Sequence, residues 1–80
     1  MENSNKKVWE PNSIIYSLGD EPECAFLIVS GIVEFYSKNN VLLGRAGQTE
    51  VFGEISCYLN RKHSVTAKAK TYLAAKIIPK

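Results

Sequence analysis

The sequence has a single histidine, two cysteines and no long apolar run. Each shortage closes off a class of function. A metal centre needs several convergent ligands, so His63 alone argues against a metal-dependent enzyme, and no metal ligand set is expected. Cys24 and Cys57 lie far apart, without metal-ligand spacing. Two buried thiols rather than a disulfide are expected, in a reducing, cytoplasmic setting. A membrane span takes about 18 consecutive apolar residues, and no run approaches that length. The opening Met-Glu-Asn-Ser-Asn-Lys-Lys lacks the apolar centre of an export signal. Long amphipathic patterns are also missing, which argues against an α/β fold with crossover helices.

Charge of one sign is scarce too. Ten basic and eight acidic residues leave a net charge of +2, too little to suggest a nucleic-acid protein. The positive part comes late: Arg61, Lys62, Lys68, Lys70, Lys76 and Lys80, with no acid after Glu54. Catalysis has little to work with. Ser56 or Ser64 as a nucleophile would need a general base, and His63 adjoins Ser64, where strand neighbours point to opposite faces. No catalytic residue and no enzymatic activity are expected.

What remains is a globular composition, 45% hydrophobic and 22% charged over 80 residues, enough for one small domain. Met1 to Lys7 reads as a flexible tail and residues 8–78 as the domain. Val8 and Trp9 open the ordered part, and Glu10-Pro11-Asn12 turns the chain. Ser13 to Tyr16 is a short strand, followed by a loop punctuated by Gly19 and Pro22. Cys24 to Val29 is an almost continuous apolar run, as in a strand covered on both sides. Ser30-Gly31 turns into a strand over Ile32 to Ser37, and the two are expected to pair as a hairpin. Val41 to Leu43 is a brief strand before a glycine-rich loop from Gly44 to Glu50. Ile55 to Leu59 can make one or two helical turns. Ser64 to Lys70 and Thr71 to Ile78 read as strands despite alanines that favour helix, with Pro79 as the stop. About seven short strands separated by turns predict a mainly β fold, an antiparallel jelly roll or double-stranded β-helix with one short helical turn. Phe26, Ile28, Phe35 and Phe52 are the expected core; Tyr16, Tyr36, Tyr58 and Tyr72 are expected as half-buried wall positions.

The chemistry gathers between Val51 and Ala69. Gly53 allows close backbone approach or positive φ. The residues after it, Glu54, Ile55 and Ser56, can start a helix whose free N–H groups face an anion. Arg61, Lys62 and His63 offer a basic side chain, and Ser64 a hydroxyl. Glu54, a carboxylate beside an anion site, makes sense if it accepts hydrogen bonds from a neutral hydroxyl. A phosphate joined to a sugar has both features.

Three blocks then carry a resemblance. Pro11-Asn12-Ser13-Ile14-Ile15-Tyr16 with Gly19-Asp20 is similar to the opening of the cyclic nucleotide-binding domain, with Asn12 where that family usually has glycine. Phe26 to Phe35 resembles its central segment around Ser30-Gly31. Phe52-Gly53-Glu54-Ile55-Ser56, with Arg61 and Ser64 to Tyr72, resembles its phosphate-binding cassette and the strand after it. The resemblance covers about Val8 to Ile78. It implies a regulatory, non-enzymatic module that binds cAMP or cGMP, with no cofactor.

By that resemblance, Gly53 and the amides of Ile55 and Ser56 receive the cyclic phosphate, and Glu54 takes the ribose 2′-hydroxyl. The family's phosphate-pairing arginine has two matches. Keeping loop length puts it on His63, with Ser64 beside it. Matching Arg-x-x-Ser-Val-x-Ala puts it on Arg61, with a shorter loop. The family's domains also carry a helix before the roll and two after it. This sequence ends at Pro79-Lys80, where the latter should begin, and a fragment of a longer regulator, kinase or channel chain is expected. An open base would make binding weak. The other expectation is a degenerate roll that contacts a partner protein and binds no nucleotide.

Overall fold

The computed structural model describes residues 6–22 and 24–79; residues 1–5 of the expected tail lie outside them. Eight short strands and one helix follow in order: β1 (Lys6–Trp9), β2 (Ile14–Tyr16), β3 (Cys24–Ser30), β4 (Val33–Tyr36), β5 (Leu42–Ala46), β6 (Val51–Phe52), α1 (Glu54–Leu59), β7 (Thr66–Ala69) and β8 (Leu73–Pro79). They form two four-stranded sheets, ordered β1-β8-β3-β6 and β2-β7-β4-β5. All pairings are antiparallel. This is the β-roll expected from the short strands and glycine turns.

Side-chain alternation explains the layering. β7 buries Ala67 and Ala69 and leaves Thr66 and Lys68 half-covered; β8 buries Leu73 and Ala75. Val33, Ile28 and Leu73 are the largest fully buried side chains between the sheets. The alanines are strand residues because burial against the opposite sheet overrides their helix preference. At one end of the core the aromatics cluster, with Phe26 and Phe52 stacked at 4.9 Å and Phe35 edge-on to Phe52 at 5.7 Å. Phe26, Ile28 and Phe52 are buried, and Phe35 packs on them partly covered. Continuity of the apolar run in β3 has a simple cause: β3 lies between β8 and β6, and its residues from Cys24 to Val29 are all at least half-buried.

The hairpin expected between β3 and β4 does not form. β3 pairs with β6 and β8, whereas β4 pairs with β5 and β7. Ser30-Gly31 is a corner that carries the chain from one sheet to the other. The β3–β8 register slips between Ile28 and Ser30, and Gly31 follows at φ 102°. A bulge followed by a positive-φ glycine bends the strand out of its sheet. Two smaller expectations also shift. Pro79, expected just beyond the last strand, is the final residue of β8, opposite Cys24. Tyr58 and Tyr72 are 88% and 68% exposed rather than wall positions, whereas Tyr16 is buried.

Asn12, at the expected glycine position, has φ 72°. Asparagine is among the few non-glycine residues that enter this left-handed region readily. Its N–H donates to the Ala69 carbonyl at 2.7 Å, fixing the turn onto β7.

Candidate functional site

Phe52 is buried in the aromatic cluster, and the next residue turns the chain outward. Gly53 caps α1 at φ 78° without a side-chain hydrogen bond. The first amides of α1, on Glu54, Ile55 and Ser56, have no acceptor within the helix. The first intrahelical contact is the Cys57 N–H donating to the Gly53 carbonyl at 3.2 Å. α1 buries none of its own residues. Asn60, at φ 56°, ends it, with N–H bonds from Asn60 to Cys57 and from Arg61 to Ser56 at 3.3 and 3.0 Å. That left-handed closure is a familiar helix stop.

A cavity of about 340 Å³ opens beside this turn. Its walls are Tyr16, Phe35, Phe52 and Val65; its polar rim is Gly53, Glu54, Ser56, Ser64 and Glu50, with Ile55 alongside. Five of the seven residues singled out in the sequence therefore meet here: Gly53, Glu54, Ile55, Ser56 and Ser64. Arg61 and His63 are not in the lining. Arg61 is anchored at the far end of α1, about 9 Å along a six-residue helix, with its side chain in solvent.

His63 is held elsewhere. Its N–H donates to the Asp20 carbonyl at 2.9 Å, and its own carbonyl accepts from Gly19 N–H at 2.7 Å. Its ring is buried, 3.6 Å from the ring of Tyr16 and nearly parallel to it. It lines a second cavity, of about 350 Å³, with Ile15, Tyr16, Asp20, Glu21, Cys24 and Phe26. Burial pushes the imidazole pKa down, opposed by the charge of Asp20. Ser64, the next residue, lies in the bend before β7 and lines the first cavity together with Val65.

Tyr16 lines both cavities and separates them. Its phenol is pushed up to about 12, first by burial and then by the negative charge of Glu54. Glu50 was not evident as a site residue from the sequence, where it falls in an apparent glycine-rich loop. Its Oε1 accepts from the Gly47 N–H at 2.6 Å, which fixes the loop that leads into β6. Its position three residues before Gly53, on the same approach to the turn, was the available signal. Among the described residues the lining thus holds two carboxylates and no cationic side chain. Among the described residues, no group of His, Cys, Asp and Glu could hold a metal ion, and no helix is long and apolar enough to cross a membrane.

This geometry can be set beside known proteins. The chain superposes on the EAL enzyme Bd1971 in its cGMP-bound form with a TM-score of 0.88 at 28% identity, covering 92% of this chain and 21% of that one. In the form of that enzyme bound to cAMP and cyclic-di-GMP the TM-score is 0.90 at 26% identity, over 95% and 21% of the two chains. The regulatory subunit of a cAMP-independent protein kinase A from Trypanosoma brucei shares the fold, with a TM-score of 0.88 at 22% identity, over 92% and 27%. The chain therefore spans about a fifth to a quarter of the length of these structures. No curated protein sequence matches it significantly. The family model described as the cyclic nucleotide-binding domain matches residues 6–80. A β-roll with a short helix opening at Gly53-Glu54 and a match over nearly the whole chain have one meaning: this chain belongs to the cyclic nucleotide-binding domain family.

Proposed function

We propose that the domain, over residues 8–78, is a non-enzymatic regulatory module that binds a cyclic nucleotide, cAMP or cGMP, weakly. The observation that carries this reading is the shared cavity of Gly53, Glu54, Ile55, Ser56 and Ser64. In this reading the helix-start amides receive the cyclic phosphate and Glu54 accepts from a ribose hydroxyl. Ser64 adds a donor, and Phe35, Val65 and Tyr16 cover the apolar part of the ligand. Arg61 supplies charge by folding its solvated side chain over the bound phosphate. The cavity is of a size used for small ligands. Binding is weak because Glu50 and Glu54 oppose an anion and no cationic side chain among the described lining residues offsets them.

Signalling then follows from α1. A helix of six residues with none of them buried is marginal by itself. A ligand that satisfies its first amides orders it, and the order passes to whatever packs on it. That recipient is the remainder of a longer regulator, kinase or channel chain, or a partner protein, in the cytoplasm. Isothermal titration with cAMP and with cGMP tests the proposal. Absence of heat and of thermal stabilisation at millimolar nucleotide would sink it.

The acidic lining also favours a second reading, a roll that keeps the fold for protein contact and binds no nucleotide. A single partner recovered equally with and without nucleotide supports it, and a measured nucleotide affinity removes it.

A further inference from the structure

The sheet β2-β7-β4-β5 turns one face to the core and the other outward. On β4, alternation puts Val33 and Phe35 on the core side and Glu34 and Tyr36 on the other, where Glu34 is itself buried beneath its partners. The register sets Arg45 and Lys68 on either side of Glu34. One Glu34 oxygen accepts from the Tyr36 hydroxyl at 2.8 Å. The other accepts from Arg45 Nε at 3.1 Å and lies 3.7 Å from Lys70 Nζ. Lys68 Nζ sits 5.9 Å from the centre of the Tyr36 ring. Two cations thus converge on one carboxylate, and a third, Lys68, lies over the neighbouring Tyr36 ring. Glu34 is the only acid on these four strands, so the face keeps an excess of positive charge.

Two features make this more than a solvated patch. Arg45 spends only its Nε on Glu34; its side chain is 57% exposed, and its Nη groups have no protein partner among the described residues. The guanidinium is held in place with the outer half of its fork open, the arrangement that takes a carboxylate in bidentate fashion. Second, β5 is the edge of its sheet, paired among the described residues with β4 alone. Its unpaired edge is flanked by exposed Val41, Leu42 and Leu43. An open edge accepts an added strand unless it is guarded. A second copy of this strand is a poor occupant, because residues 41–46 contain no acid to meet Arg45.

We propose that this face, centred on Arg45 and the free edge of β5, binds an extended acidic segment of a partner protein. The segment adds as a strand beside β5. One carboxylate takes the Arg45 Nη pair, apolar side chains rest on Leu42 and Leu43, and further acids meet Lys68 and Lys70. The site is separate from the cavity at Gly53 and stands whether or not nucleotide binds there.

Fluorescence anisotropy of a short labelled peptide alternating glutamate and valine, titrated with the full chain, tests this. Saturable binding that weakens with added salt is expected. Arg45→Gln should weaken it about tenfold, the loss of one charge-assisted contact, with an unchanged circular dichroism spectrum. Lys70→Gln should weaken it less. The same peptide with a central proline should lose most of its affinity, since proline blocks ladder pairing. No binding, equal binding of a lysine-valine peptide, an unaffected Arg45→Gln variant or an undiminished proline peptide would each overturn the proposal. Tighter binding of duplex DNA than of the peptide would also overturn it, in favour of a polyanion site.

Discussion

The ring of His63 lies 3.6 Å from that of Tyr16, tilted by only 10°. This stack closes the wall between the two cavities from the side of the loop Gly19-Asp20, to which the His63 backbone is bonded twice.

Acid should loosen that wall. Burial holds the His63 pKa below its ordinary value of 6.5. The unfolded chain therefore binds a proton more readily than the folded one as pH falls. Stability from this group is fully present above about 6.5 and is lost as pH drops toward the lower folded value. The thermal midpoint should be flat above neutrality and decline below it. His63→Phe keeps a stacked ring and both backbone bonds, and should flatten that limb. A separate loss should appear at lower pH. Glu34, held below its ordinary 4.5 by the Tyr36 hydroxyl, Arg45 and Lys70, stabilises above that value and ceases to as it protonates.

Two glycines of similar conformation should respond differently to alanine. Gly19 has φ 93° and Gly31 φ 102°, so the backbone strain of a side chain is alike, about 1–2 kcal/mol. A methyl group at Gly19 meets nothing within 4 Å. At Gly31 it would overlap the Tyr72 carbonyl oxygen and lie 2.9 Å from Leu73 Cα, both backbone atoms. Gly19→Ala should cost about the strain alone in urea denaturation. Gly31→Ala should cost well beyond it or prevent folding, because the corner between the sheets cannot give. Equal costs would show that the corner is soft.

Much of this was legible in the residues. Gly53-Glu54 announced the turn and the short helix, and the turn-bounded strands announced the roll. The cavity then gathers Gly53, Glu54, Ile55, Ser56 and Ser64, which were named from spacing and resemblance. Pairing was not legible. Ser30-Gly31 suits a hairpin and a corner equally, and only the positions of β7 and β8, far along the chain, decide between them. His63 was not legible either. The residues before it, Arg61 and Lys62, are basic and exposed, whereas its partners Tyr16, Gly19 and Asp20 come from the end of β2 and the loop after it, over forty residues away. Exposure of Tyr58 and Tyr72 was missed because an aromatic on a short helix or a bend carries no alternation to read.

Asn12 allows a milder backbone test. It holds φ 72° in the turn where the family usually has glycine. Asn12→Gly should leave stability within a few tenths of a kcal/mol or raise it, since the side chain's αL strain disappears while unfolded-chain entropy grows. Asn12→Ala should lower it by about 1 kcal/mol. Thermal denaturation of the three proteins ranks them. An alanine variant as stable as the parent would mean that the turn relaxes to another conformation.

Arg61 and His63 can be separated because the structure assigns them different surroundings. Arg61 is exposed at the end of α1, tied there by a backbone bond to Ser56. Arg61→Ala should therefore leave the melting temperature nearly unchanged. If its guanidinium folds over a bound cyclic phosphate, the variant should bind cAMP or cGMP about tenfold more weakly, with a shallower salt dependence. His63 is buried against Tyr16, so His63→Ala removes an aromatic pair and leaves a void. It should lower stability by about 1 kcal/mol or more. Measured well below its melting temperature, its nucleotide affinity should change less than that of Arg61→Ala. The reverse pattern, with His63→Ala abolishing binding at full stability and Arg61→Ala without effect, would place the phosphate on the imidazole side of Tyr16. The ligand would then occupy the cavity of Asp20, Cys24 and Phe26 rather than the one at Gly53.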